Sequence, residues 1–187
     1  MELLTGIFSA FGLSASAGLN AYIPLLVIGV LDHYTDLITL EKPWDTLSNP
    51  WILILLGVLL IIEMLADKIP AVNHINDAIQ TFVRPAAGAI AFAASANVIT
   101  DIHPVLALAC GLLVAGAVHI TKSAAIRPIV TATTGGTANV PVSAAEDVAS
   151  TTVSVLSILV PVAVGILLVV ALAFLISWLW KRAARQT

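Results

Sequence analysis

Apolar and polar residues fall along this chain in long blocks. Residues 3–31 are apolar with small residues interspersed, and 32–49 are polar, with Asp32, Asp36, Glu41 and Asp45 against Lys42. Apolar runs return at 50–66, at 86–100, from Val105 to Val118 and from Val153 to Trp180. A bilayer crossing takes about 20 apolar residues, so the pattern predicts an all-α, polytopic transmembrane bundle of five to six crossings. The run 86–100 is short and alanine-rich, which predicts burial among other helices. Residues 69–83 set Ile69, Val72, Ile75, Ile79 and Phe82 against Asn73, His74, Asp77 and Gln80 at helical spacing. That predicts an amphipathic helix at the interface, ending at Arg84-Pro85.

Several residues punctuate these runs. Ser9, Gly12, Ser16 and Asn20 recur on one face of the first run and suit close helix packing. Pro24 predicts a kink near Asn20, leaving a freed carbonyl beside an amide side chain, a place for an ion or polar solute. Pro50 suits a helix start, and 101–104 read as a tight turn. Pro161 and Gly165 interrupt the last run. Trp44 and Trp51, then Trp178, Trp180, Lys181, Arg182 and Arg185, suit interfacial anchors.

Composition agrees with a membrane chain. It is 59% hydrophobic and only 10% charged, against about 25% charged in soluble domains. A formal charge of −3 without a basic run excludes nucleic-acid binding. Cys110 is the single cysteine, so there is no intramolecular disulfide, and no zinc spacing or cofactor motif occurs. Met1-Glu2 precedes the first run without a basic segment, so that run is expected to serve as its own uncleaved signal.

The stretch His119–Ser150 carries most of the candidate chemistry. It holds His119, Lys122 and Arg127, then Thr134, Gly135, Gly136 and Asn139, then Glu146 and Asp147. A polar glycine-bearing segment in a membrane chain is either a water-facing loop or an element protected inside protein. Basic residues favour the second. With five crossings, Lys and Arg divide four against four. With one more crossing between Pro128 and Pro161, Lys68, Arg84, Lys122, Arg127 and the three C-terminal cations face Lys42 alone. That predicts six crossings and both termini in the cytoplasm. Gly12/Gly116 and Pro24/Pro128 match at one offset, consistent with inverted halves 1–101 and 102–187 within a single domain.

Glu63 and Asp67 share a helix face at the end of the second span, where a membrane-embedded carboxylate is costly; an exposed helix end with Lys68 as partner is the other reading. Lys122 or Arg127 is expected to pair with Glu146, Asp147, Glu63 or Asp67, because an isolated buried charge is prohibitive. The hydroxyls and amides around Gly135-Gly136 would suit an anion or small solute. No Gly-x-Ser-x-Gly elbow or His-Glu-x-x-His pair occurs, so the chain is not expected to be an enzyme.

Three stretches carry a family pattern: Ser14 to Pro24, Ala66-Asp67-Lys68-Ile69-Pro70, and Arg84-Pro85-Ala86-Ala87-Gly88-Ala89. Thr133-Thr134-Gly135-Gly136, Asn139, Pro141 and Ser143 to Asp147 continue it. Across nearly its whole length the chain resembles a family of small bacterial integral membrane proteins known only as a domain of unknown function. The resemblance implies a bacterial membrane origin and supplies no activity; the bacterial inner membrane is the expected location. The residues predict a small membrane transporter or channel for an ion or small polar solute. The alternatives are a lipid-handling protein, with Arg84 or Arg127 meeting a headgroup, and a non-transporting scaffold. The expected partners are the lipid bilayer, that ion or solute, and a second copy through the small-residue faces.

Overall fold

The computed structural model describes residues 2–67, 70–97 and 102–183. Lys68, Thr100, Asp101 and Arg185 lie outside the described residues, as do the side chains of His74, Trp178, Trp180, Lys181 and Arg182. The expected partner of Asp67 and the C-terminal anchor therefore fall there. Seven helices and no strand occur among the described residues. They are α1 (Glu2–Leu19), α2 (Tyr22–Tyr34), α3 (Pro50–Ala66), α4 (Pro70–Asn97), α5 (Pro104–Thr134), α6 (Asn139–Leu159) and α7 (Pro161–Ala183). A 3-10 turn (Trp44–Ser48) precedes α3. Two helices, α5 and α6, are long and apolar enough to cross a bilayer. Four others, α1, α2, α3 and α7, contain shorter apolar stretches of 10–17 residues.

The first apolar run is not one kinked helix. It folds into a hairpin of α1 and α2 whose tip is Asn20-Ala21. Leu13 and Ile28, almost equidistant from the tip, line one small cavity with Leu40 and Ile158. Asn20 rather than Pro24 makes the break. Its Oδ1 accepts from the amides of Tyr22 (3.0 Å) and Ile23 (3.2 Å), satisfying donors that a helix start leaves free. Pro24 lies in the first turn of α2, where a missing amide hydrogen is of no consequence.

Contacts along α1 fix the direction of its neighbours. Ser95 near the end of α4 donates to Ser9 at 3.2 Å, and Phe8 presses on Gly165 near the start of α7. Thus the start of α1, the end of α2, the end of α4, the start of α5 and the α6–α7 break share one end of the bundle. The tip at Asn20 points toward the other end, as do Asp67 and the α5–α6 turn.

Small residues set the spacing. A Cβ on Gly88 would lie 2.2 Å from Ala115 Cβ, and one on Gly111 2.3 Å from the Gly88 carbonyl, so α4 and α5 touch backbone to backbone. Ser14 donates to the Gly111 carbonyl at 2.8 Å. Gly12 abuts Ser157, and Ser16 hydrogen-bonds Ser150 and Ser154 at 2.7 Å each. The small-residue face of α1 is therefore used within the monomer.

The later elements change some expectations and decide others. Residues 69–83 and 86–100 form the single helix α4, which runs through Pro85. Tight packing of Gly88 on α5 and the ion pairs of Arg84 hold the helix together across a residue that would otherwise end it. The polar face of α4 points inward: Asn76, Gln80 and Arg84 are buried, whereas Ile75, Ile79 and Phe82 are exposed, Phe82 by 79%. The stretch 122–152 is not a loop. Helix α5 continues to Thr134, Gly135 (φ 61°) and Gly136 (φ 87°) make a left-handed turn that side chains disfavour, and α6 returns. The last apolar run is divided at Val160, between α6 and α7, and Gly165 lies inside α7.

Candidate functional site

At the tip of the α1–α2 hairpin the chain leaves the Leu19 carbonyl without an intrahelical partner. Lys122 Nζ donates to it at 3.1 Å, placing a cation at a helix C-terminus, where the macrodipole favours one. Lys122 Nζ also lies 2.6 Å from Glu146 Oε2 on α6. Asn20 Nδ2 donates to Asp147 Oδ1 at 2.9 Å. One break thus recruits α5 through Lys122 and α6 through Asp147.

Helix α5 is irregular at this level, with π-helical residues Lys122–Ile126. Pro128 has no amide hydrogen, and its ring would press on the carbonyl of Ala124. A widened turn relieves that contact. It also changes which side chains share a face. Lys122 and Arg127 are five residues apart, about 140° around an α-helix of 3.6 residues per turn. The π turn brings both round to the same side.

Arg127 is the hub of the lower cluster. Its Nη1 donates to both oxygens of Asp77 (3.1 and 3.2 Å), and its Nη2 to Asp67 Oδ2 and Ser143 Oγ (3.1 Å each). Glu146 Oε2 lies 3.5 Å from the same Nη2. Asn76 donates to Asp67 Oδ1 at 2.8 Å. Above it, Arg84 donates to Glu63 Oε1 through Nη2 (2.9 Å) and Nε (3.3 Å). Arg84 and Lys122 are 1% and 2% exposed, so these cations are held away from solvent.

His119 joins the two clusters. Arg84 Nη1 lies 3.3 Å from its Nδ1, and Thr81 Oγ1 lies 3.2 Å from its Nε2. Guanidinium only donates, so Nδ1 accepts and Nε2 carries the hydrogen. Thr81 Oγ1 in turn donates to the Asp77 carbonyl at 2.8 Å, which leaves its oxygen to accept from His119.

Five carboxylates (Glu63, Asp67, Asp77, Glu146, Asp147) therefore meet three cations (Arg84, Lys122, Arg127), a formal −2 with His119 neutral. Glu63 Oε2 is buried without a hydrogen-bond partner. The arrangement is short of positive charge, and it presents an open acceptor. Among the described residues, no group of three or more His, Cys, Asp or Glu has metal-binding geometry.

Of the residues singled out from sequence, the structure brings together Asn20, Glu63, Asp67, His119, Lys122, Arg127, Glu146 and Asp147. It sets apart Thr134, Gly135, Gly136 and Asn139, which form the exposed α5–α6 turn. There Thr134 Oγ1 donates to the Val130 carbonyl at 2.7 Å, and Thr131 and Asn139 bond each other. These groups serve the turn. Sequence reasoning missed Asn76, Asp77 and Thr81 as members. The signal was present: Asp77, Gln80, Thr81 and Arg84 share a helix face. That stripe runs into the apolar part of α4 and so could not all reach water.

A cavity of about 610 Å³ adjoins this network between α1, α5, α6 and α7. Its walls include Phe11, Ala15, Ala117, Ala149, Leu168 and Leu172, with Lys122 and Glu146 among the lining residues. No curated protein and no solved structure matches the chain. A family model does: residues 7–182 match DUF4126, a domain of unknown function, and the chain belongs to that family.

Proposed function

We propose that this chain is a small polytopic membrane transporter that moves an ion or small polar solute past the network at the α1–α2 tip. One observation carries the reading: charge lies inside and hydrocarbon outside. Glu63, Arg84, His119 and Lys122 are buried, while isoleucines, leucines and valines cover the surface of α3, α5 and α7. A lipid environment accounts for both, because it tolerates the apolar surface and makes an inward ionisable group costly unless it is functional. The helix irregularities support transport in particular. Broken helices whose ends meet near a bilayer midplane supply free backbone groups to a solute.

The helix directions support five crossings, α3 to α7, with α1–α2 entering and leaving on one side. Among the described cations, Lys122, Arg127 and Arg84 then lie toward one side and Lys42 on the other, a bias that favours a cytoplasmic end for α7. The start of α1 moves to the opposite side from the six-crossing expectation. A bacterial inner membrane remains the proposed location.

The test is reconstitution of the full chain in liposomes with currents recorded on a solid-supported membrane. The panel is protons, sodium, potassium, chloride and an organic cation. At least one is expected to give a current above protein-free liposomes, abolished in the Lys122→Met, Glu146→Gln double variant. Silence across the panel from correctly folded protein would remove the reading. A lipid-handling role is the second reading, favoured by the apolar cavity beside Lys122. Scrambling of a fluorescent phospholipid without ion current would support it instead.

A further inference from the structure

The cavity beside the network differs from it in character. Its walls are mostly aliphatic and aromatic side chains from four helices, and Lys122 and Glu146 are its charged lining residues. A volume of about 610 Å³ falls within the range of small-molecule pockets, which combine apolar walls with a few placed polar groups. Such a space fits a molecule with a bulky apolar body and one charged centre.

The network decides the sign of that charge. Glu146 is held by Lys122 at 2.6 Å and by Arg127 at 3.5 Å. Both cations have other partners: Lys122 keeps the Leu19 carbonyl, and Arg127 keeps Asp67, Asp77 and Ser143. Both cations contact Glu146 through the same oxygen, Oε2, so Oε1 can meet a ligand while both contacts are kept. An anionic ligand on Lys122 would add to a cluster already at formal −2 and leave Glu146 only the more distant Arg127. A cation reduces the imbalance.

We propose that this cavity binds an amphipathic organic cation, with its apolar body between α1, α5, α6 and α7 and its charged centre at Glu146. The proposal names the substrate class for the transporter reading and rests on it for direction of movement, while binding is measured separately. The matched probes are radiolabelled tetraphenylphosphonium and tetraphenylborate, which have the same shape and opposite charge, each added to the purified full chain in detergent. Saturable binding of tetraphenylphosphonium is expected, with tetraphenylborate at least about tenfold weaker. Glu146→Gln should weaken the cation by about 10- to 100-fold, the effect of losing a charged partner. Ala149→Phe, which projects a ring into the cavity and replaces no network residue, should abolish binding and carries the test if Glu146→Gln does not fold.

Equal or tighter binding of tetraphenylborate, or binding that survives Ala149→Phe, overturns the proposal. So does absence of saturable cation binding. Binding without current in liposomes would leave the site standing and remove the transporter. Inorganic-ion current without binding would do the reverse.

Discussion

The ion pair between Lys122 and Glu146 offers the sharpest test of the buried network. Lys122→Met keeps the length of the side chain and removes its charge. Lys122 is 2% exposed and makes two contacts, Glu146 at 2.6 Å and the Leu19 carbonyl at 3.1 Å. Removing one partner of a buried pair costs about 3–5 kcal/mol, because the survivor is left buried and uncompensated. Arg127, 3.5 Å from Glu146, offsets part of that, so the lower end of the range is expected. The orphaned Leu19 carbonyl adds about 1–3 kcal/mol. Glu146→Met alone leaves Lys122 with only that carbonyl and should cost a similar amount. The double variant removes both charges and keeps only the carbonyl penalty. It should be more stable than either single variant by about 2–4 kcal/mol, so the two single costs fall well short of adding. Reversible unfolding in mixed micelles measures all four proteins. Costs that add within about 0.5 kcal/mol, the tolerance for independent sites, would refute a direct pair.

Three further outcomes follow from the same geometry. Asn20→Leu should cost about 2–4 kcal/mol, from a lost cap on α2 and a lost partner for Asp147; a cost below the noise of micelle unfolding would mean that the hairpin tip does not depend on it. Gly111→Ala should destabilise by about 1–3 kcal/mol or more through overpacking, since its Cβ would sit 2.3 Å from the Gly88 carbonyl, whereas Gly57→Ala meets nothing within 4 Å and should be neutral or stabilising; equal effects would deny the α4–α5 contact. In a Cys110→Ala background, a membrane-impermeant maleimide on intact cells should label Leu37→Cys at once, Thr137→Cys only after permeabilisation, and Ser143→Cys poorly in either case; a reversed order would invert the proposed orientation.

The helical character and most element positions were legible because apolar blocks need only length and composition. Direction was not. Residues 3–31 read as one kinked crossing because proline is the usual suspect for a kink, while the deciding group was the Asn20 side chain. Its bonds to the amides of Tyr22 and Ile23 are local, but nothing in the sequence says that the chain reverses there rather than bends. Helix α4 failed the other way. Arg84-Pro85 reads as a boundary from backbone preference alone, and tertiary contacts through Arg84 and Gly88 override it.

The buried site was half legible for a reason that lies in helix periodicity. Pairing of Lys122 with Glu146, and of Arg127 with Asp67, follows from the cost of isolated charge in an apolar interior. That both cations serve one cluster does not follow, because a regular helix would send them to different faces. The π turn at 122–126 resolves this, and Pro128 is its local cause. Substituting Pro128 by Ala removes the ring that presses on the Ala124 carbonyl and restores the missing amide. If the widened turn depends on that ring, α5 should tighten and Arg127 should rotate away from Asp67 and Asp77, lowering stability although a proline has left a helix. An isolated helix would instead gain about 3 kcal/mol from the same change. The sign of the stability change in micelles therefore separates a turn imposed by Pro128 from one imposed by the ion pairs around it.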